Sequence, residues 1–255
     1  MMRQERLRRF VAIVLLILAC FFGMKLLQYW LNGRVLEKEF TDLSKEVEEI
    51  RTQHEALGSS DHLDPQPLPD MEEIKLKNSD FFAWLYVEGT NIDYPVMFTP
   101  ESPEYYLRRN FKKQYSIAGT PFLDSRFTDG AENYIIYGHN MKNGSMFANL
   151  LKYRDETFFK SYSRIRLTTL YEEIIYEVIA VFLSEVHVDR NTFPWFNYLK
   201  FQDENVFLEF VSKLQEESLL PLPVTPIYGD SFLTLVTCSN HDITGRFVLI
   251  ARKVR

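Results

Sequence analysis

The chain has 255 residues, a net charge of −6 and a pI near 5.5, a balance that argues against nucleic acid as a partner because a phosphate backbone is held by clustered positive charge. Two cysteines, Cys20 and Cys238, are too few for a disulfide scaffold. The 21 Phe and 14 Tyr suit a β-rich domain in which aromatic side chains cover a sheet.

Residues 1–9 carry Arg3, Arg6, Arg8 and Arg9 ahead of an apolar run. That run, residues 10–31, is interrupted by Lys25 and as a helix would be about 33 Å long at ~1.5 Å per residue, enough to cross a bilayer. Basic flanks stay in the cytoplasm, so the expectation is a cytoplasmic tail (1–9), a single-pass transmembrane anchor (10–31) and a C-terminal bulk outside the cell. A cleaved signal peptide fits less well, because the run is long and no small-residue cleavage site follows it.

Within 32–57 the apolar residues Leu36, Phe40, Leu43, Val47, Ile50 and Leu57 recur in steps of four and three, with His54 filling the missing place. This predicts a helical stalk. Three heptads are short for a self-associating coil, so the stripe is read as packing on the domain or on the membrane surface. Residues 58–70 turn to Gly, Ser, Asp and three prolines, a linker composition. The folded domain is placed at 71–255, about 185 residues and ample for one core.

Short strands are predicted at 83–87, 93–97, 121–123, 134–137, 164–169, 174–186, 232–238 and 246–254, with a turn at 170–173 that makes the fifth and sixth a hairpin. Phe207, Phe210, Val211 and Leu214 fall at helical spacing, so a helix at 203–217 interrupts the sheet. The fold class is mainly β: short, mostly antiparallel strands with a few helices suit a closed barrel better than a βαβ sheet. Tyr137 and Phe147 are read as core residues.

Cys238 is the one thiol outside the apolar run. It ends a strand, and a polar loop leads from Ser239 to the next strand at Arg246. An ordinary thiol is only slightly ionised near neutrality, so a cysteine nucleophile needs a base or a positive neighbour. Among the histidines, His54 and His62 lie in stalk and linker, His187 ends the long strand, and His241 rides the loop after Cys238. His139 directly follows a strand, and Gly138 before it permits a tight bend. Arg246 flanks the same loop as Cys238, where a guanidinium can donate two hydrogen bonds to a carbonyl or to the oxyanion formed from it. Singly, each has a plain reading as loop histidine, surface arginine or buried thiol; the combination points to acyl chemistry. Asp124, Asp129, Glu132 and Asp242 lack calcium-loop spacing and are read as solvated acids, and one cysteine with scattered histidines gives no zinc pattern. No metal and no cofactor are expected.

Thr234-Leu235-Val236-Thr237-Cys238 resembles the T-L-x-T-C signature of sortases, the membrane-anchored cysteine transpeptidases of Gram-positive bacteria. Tyr137-Gly138-His139-Asn140-Met141, running into Gly144-Ser145-Met146-Phe147, resembles the histidine segment of class B sortases. Gly89-Thr90-Asn91-Ile92-Asp93-Tyr94-Pro95-Val96 and Gly119-Thr120-Pro121-Phe122-Leu123-Asp124 resemble two further segments of their catalytic domain. The resemblance covers roughly residues 75–255. It implies an eight-stranded β-barrel with Cys238 as nucleophile, His139 as general acid and base, and Arg246 holding substrate and oxyanion. It also implies the partners: secreted proteins with a C-terminal sorting motif, and an amine acceptor on a peptidoglycan precursor or, in pilus builders, a pilin lysine. Asp64-Pro65-Gln66 lacks the aromatic of the lid motif found in many pilus builders, so no lid is read here. A cysteine protease, which gives its acyl-enzyme to water, and a non-catalytic surface binding domain are the competing functions; residue order alone does not separate transpeptidase from protease.

Overall fold

The computed structural model describes residues 2–57, 66–185, 193–238 and 245–254. It begins with one continuous helix, α1 (Met2–Leu57). Its stretch Arg8–Leu27 is long and apolar enough to cross a membrane, and none of it is buried within the protein. Further along the same helix Phe40, Leu43 and Val47 are buried against the domain, so the heptad stripe packs on the protein's own core. Polar contacts flank that stripe. Ser44 donates to Asp93, Lys77 pairs with Glu46, and Arg51 binds Asp70 at 3.0 Å.

A second helix, α2 (Pro69–Lys77), begins inside the segment that composition marks as linker. The proline that reads as a linker residue stands in its first turn, where a missing N–H costs nothing, and Asp70 favours the same end of the helix dipole. Met71 and Ile74 bury the inner face of α2. Residues 58–65, which include His62 and the Asp64-Pro65 pair, lie outside the described residues.

Eight strands follow: β1 (Phe81–Val87), β2 (Asp93–Met97), β3 (Phe122–Leu123), β4 (Asn133–Tyr137), β5 (Arg164–Thr169), β6 (Glu173–Glu185), β7 (Phe232–Cys238) and β8 (Gly245–Lys253). They close into a barrel in the order β1-β2-β3-β4-β7-β8-β6-β5. The pairings are antiparallel except β2 with β3 and β4 with β7. Two further helices, α3 (Glu156–Ser161) and α4 (Glu204–Glu217), pack outside it. Asp203 caps α4 by accepting hydrogen bonds from the N–H groups of Asn205 and Val206 at 2.8 and 3.0 Å.

Two cores result from the period-two alternation of the last strands. Leu233, Leu235, Phe247, Leu249 and Ala251 join the core that continues beneath α1 and α2. Phe232, Val236, Val248 and Ile250 face the other way and meet Phe207, Phe210, Val211 and Leu214 of α4. Three short 3-10 segments, Tyr105–Arg108, Phe147–Arg154 and Trp195–Asn197, have no sequence periodicity to announce them.

Candidate active site

The parallel pairing of β4 with β7 sets the geometry. Tyr137 is the register partner of Val236, and the Gly138 N–H extends the ladder by donating to the Val236 carbonyl at 3.0 Å. His139 and Cys238, each two residues beyond that pair, therefore leave the barrel at the same end. Across the antiparallel β7–β8 ladder, Cys238 is directly opposed to Arg246, the last pair before the connecting loop. The three residues singled out from sequence thus converge at one rim, joined by backbone register. The connecting loop 239–244 with His241, and His187, lie outside the described residues, while His54 is exposed on α1.

The strand exit before His139 admits only glycine. A Cβ at residue 138 would lie 2.6 Å from the ring of Phe147, which is itself fully buried. His139 is half-buried, and its Nε2 lies 2.9 Å from the carbonyl oxygen of Leu107. A carbonyl only accepts, so Nε2 carries a proton and Nδ1 is the acceptor in the neutral ring. Burial pushes the imidazole below its ordinary value; the positive charges of Arg108 and Arg246 push the same way, and the Leu107 carbonyl opposes them. The Leu107 carbonyl is set by a second tight glycine. Gly119 has φ of +62°, and a Cβ there would lie 2.5 Å from the Leu107 oxygen.

His139, Arg246, Thr237 and Leu107 line a cleft of about 480 Å³, a size suited to a short stretch of peptide. Thr237 is 2% exposed, and its hydroxyl has no hydrogen-bond partner among the described residues. Arg246 donates from Nη1 to the Gly245 carbonyl at 3.2 Å.

Two features of the cleft differ from the sequence expectation. Tyr137 lines it as well as packing, and its hydroxyl donates to Asp124 at 2.9 Å. Asp124 is buried instead of solvated: Arg126 binds it through Nε at 2.9 Å and Nη2 at 2.7 Å. Burial works to raise the Asp124 pKa, but the hydrogen bonds from Arg126 and Tyr137 outweigh it and hold the carboxyl below its ordinary value. The signal for this pair was the local one of an aspartate two residues before an arginine, whose N–H returns to the carboxylate at 2.9 Å. Glu132 is likewise occupied, accepting from the Phe201 N–H at 2.6 Å. Among the described residues no group of three or more His, Cys, Asp or Glu side chains is placed to hold a metal ion.

Residues 85–254 match the family model described as the sortase domain. A sortase B of Listeria monocytogenes is 31% identical over 189 residues, which cover 72% of this chain and 74% of that relative. Among solved structures, a Bacillus anthracis protein described as similar to sortase B has a TM-score of 0.71 at 29% identity, covering 89% of this chain and 97% of that one. A Staphylococcus aureus sortase B in complex with substrate has a TM-score of 0.75 at 20% identity over 88% of this chain and 99% of its own, a likeness of fold.

Proposed function

Because this chain belongs to the sortase family of cysteine transpeptidases, and to class B within it, we propose that it cleaves a C-terminal sorting motif of secreted proteins and passes the acyl fragment, held as a thioester on Cys238, to an amine of a peptidoglycan precursor. The observation that carries the residue assignment is the register that brings positions 139, 238 and 246 to one rim beside a peptide-sized cleft.

In this reading Nδ1 of the neutral His139 takes the proton of the Cys238 thiol, and the thiolate so formed attacks the scissile carbonyl carbon. Arg246, directly opposed to it in the ladder, favours the thiolate as a positive neighbour and donates to the oxyanion of the tetrahedral intermediate. The C–N bond then breaks, and His139 gives its proton to the departing amine. With Nε2 engaged by the Leu107 carbonyl, Nδ1 is the nitrogen that exchanges this proton. The acceptor amine next attacks the thioester carbon, His139 takes the amine's proton, the C–S bond breaks, and that proton passes from His139 to the sulfur, restoring thiol and neutral ring. A lowered imidazole pKa suits this cycle, since the ring must be neutral when it acts as base. Splitting one acyl transfer in two makes its outcome depend on which acceptor reaches the thioester first.

The test uses the full chain in detergent with a panel of sorting-motif peptides and hydroxylamine as surrogate amine, with Cys238→Ala as blank. Hydroxylamine should accelerate turnover and yield a hydroxamate. Cleavage indifferent to the amine would make the protein a protease, and cleavage that persists in the alanine variant would remove Cys238 from the mechanism. Placement is part of the same proposal: residues 1–9 cytoplasmic, the apolar part of α1 across the membrane, and the barrel outside, as its arginine-rich flank favours. Protease added to intact protoplasts should shave off the barrel; protection would refute that topology.

A further inference from the structure

A catalytic base is generally oriented by a third group, commonly a carboxylate, which fixes the nitrogen that carries the proton. For His139 that group is a backbone atom, the Leu107 carbonyl oxygen, 2.9 Å from Nε2. Such an acceptor points wherever its chain segment holds it. Its heading therefore depends on what anchors the short 3-10 segment Tyr105–Arg108 that presents it.

One side chain of that segment, Tyr106, is fully buried. Its hydroxyl donates to Oδ2 of Asp80 at 2.8 Å and accepts from Nδ2 of Asn78 at 2.8 Å. Both partners belong to the turn between α2 and β1, where the Asp80 N–H donates back to Oδ1 of Asn78 at 3.0 Å. The same pair grips the chain just past the segment: Asn78 donates to the Phe111 carbonyl at 2.7 Å, and Lys113 pairs with Asp80 at 2.9 Å. The Tyr106 carbonyl accepts from the Thr120 N–H at 3.0 Å, and a Cβ on Gly119 would lie 2.6 Å from that oxygen and 2.5 Å from the Leu107 oxygen. Burial works to raise the Asp80 pKa, but the hydrogen bonds from Lys113 and Tyr106, with the charges of Lys113 and Lys75, hold it below its ordinary value. The acceptor thus stays ionised where the histidine titrates. Neither Asn78, Asp80 nor Tyr106 lines the cleft.

We propose that Tyr106 is a positioning residue for His139: its hydroxyl, held between Asn78 and Asp80, fixes the adjoining Leu107 carbonyl that sets the tautomer and heading of the imidazole. This rests on the assignment of His139 as proton carrier. The hydroxyl ties the segment to the α2–β1 turn at a point one residue from the carbonyl. A segment released there would let the carbonyl swing, Nε2 would lose its acceptor, and Nδ1 would no longer be held toward the sulfur.

Tyr106→Phe keeps the buried ring and removes only the hydroxyl; Asn78 retains Phe111 and Asp80 retains Lys113 as partners. The test uses the full chain in detergent carrying Cys20→Ser, so that a thiosulfonate reagent titrates Cys238 alone. In Tyr106→Phe, kcat per titrated site should fall about tenfold or more, as expected for displacement of a catalytic group by a fraction of an ångström, while KM for the motif peptide stays within about twofold. The acid limb of kcat/KM should also move to lower pH, because the carbonyl favours the protonated ring and its loss leaves burial, Arg108 and Arg246 unopposed. A variant that was merely less stable would lose titratable sites and leave both readouts in place. Asp80→Asn, which keeps an acceptor for the hydroxyl, should retain most of the rate per site, whereas Asp80→Ala should lower it. Unchanged kcat per site in Tyr106→Phe, or a fall with the acid limb unmoved, would overturn the proposal, and equal rates in the two Asp80 variants would overturn the part given to Asp80. Full activity in His139→Ala would instead show that the proton carrier was wrongly assigned, whatever Tyr106 does.

Discussion

Replacing Gly138 by alanine adds one methyl group at the exit of β4, and the structure says what it meets. The new Cβ would lie 2.6, 2.7 and 2.9 Å from Cγ, Cδ2 and Cδ1 of Phe147. Carbon atoms rest at about 3.5–4.0 Å, so ring and backbone must part by about 1 Å. The ring has little room to yield, since Phe147, Leu150 and Tyr153 are all fully buried. Overpacking of this kind costs about 1–3 kcal/mol, which for a domain of this size lowers Tm by about 2–12 °C. The strain falls on the residue next to His139, and a misplacement of about 1 Å at a catalytic group can cost about a hundredfold in rate. Thermal unfolding and kcat/KM on the full chain would read both effects. Phe147→Leu on the Gly138→Ala background should restore part of the activity, because it removes the ring that the methyl strikes. A Gly138→Ala variant with unchanged Tm and turnover would refute the reasoning, for it would mean that the strand exit has slack.

Arg246→Lys should keep the charge yet lose the two-pronged donor, lowering kcat/KM by about a hundred- to thousandfold with the fold intact; near-normal turnover would return Arg246 to the surface. The depressed His139 pKa fixes the sign of the acid response. The base is lost only as pH falls through the folded-state value, so the acid limb of kcat/KM should lie below the ordinary histidine range, and Arg108→Gln, which removes one positive neighbour, should shift it upward. Between the folded and ordinary values the unfolded chain binds a proton that the folded chain does not, so this group makes stability rise with pH across that window; a limb at or above the ordinary value would contradict the structure.

The strands were legible because alternation and β-branched runs mark a half-buried sheet, and β1, β2, β5, β7 and α4 lie close to their predicted bounds. Less legible were α2, whose proline reads equally as linker or helix start, and the 3-10 segments, too short for any period. Cys238, His139 and Arg246 stood out by residue type and strand position. Their convergence depends on the β4–β7 pairing, which joins residues about a hundred apart in sequence and has no local signature. The Leu107 carbonyl was invisible for another reason: a backbone acceptor belongs to no residue type, and only the fold of the 105–108 segment presents it to His139. Asp124 was misread because the sequence places Arg126 two residues on but does not show that its guanidinium folds back onto a carboxylate that the fold buries.

The unbroken course of α1 bears on how the barrel meets its substrates in the proposed topology. Leu27 closes the apolar stretch, Gly33 touches the loop next to His139, and Phe40 is already in the core. At ~1.5 Å per residue these points lie about 9 and 20 Å beyond the end of the apolar stretch. A Gly/Ser tether of that length would let the domain tumble and sample a hemisphere. In that topology a helix that is docked where it leaves the bilayer would act as a mast, setting the height and heading of the barrel together. A barrel so held would meet donor and acceptor in a thin layer above the lipid, and encounter would become a problem of diffusion in a plane.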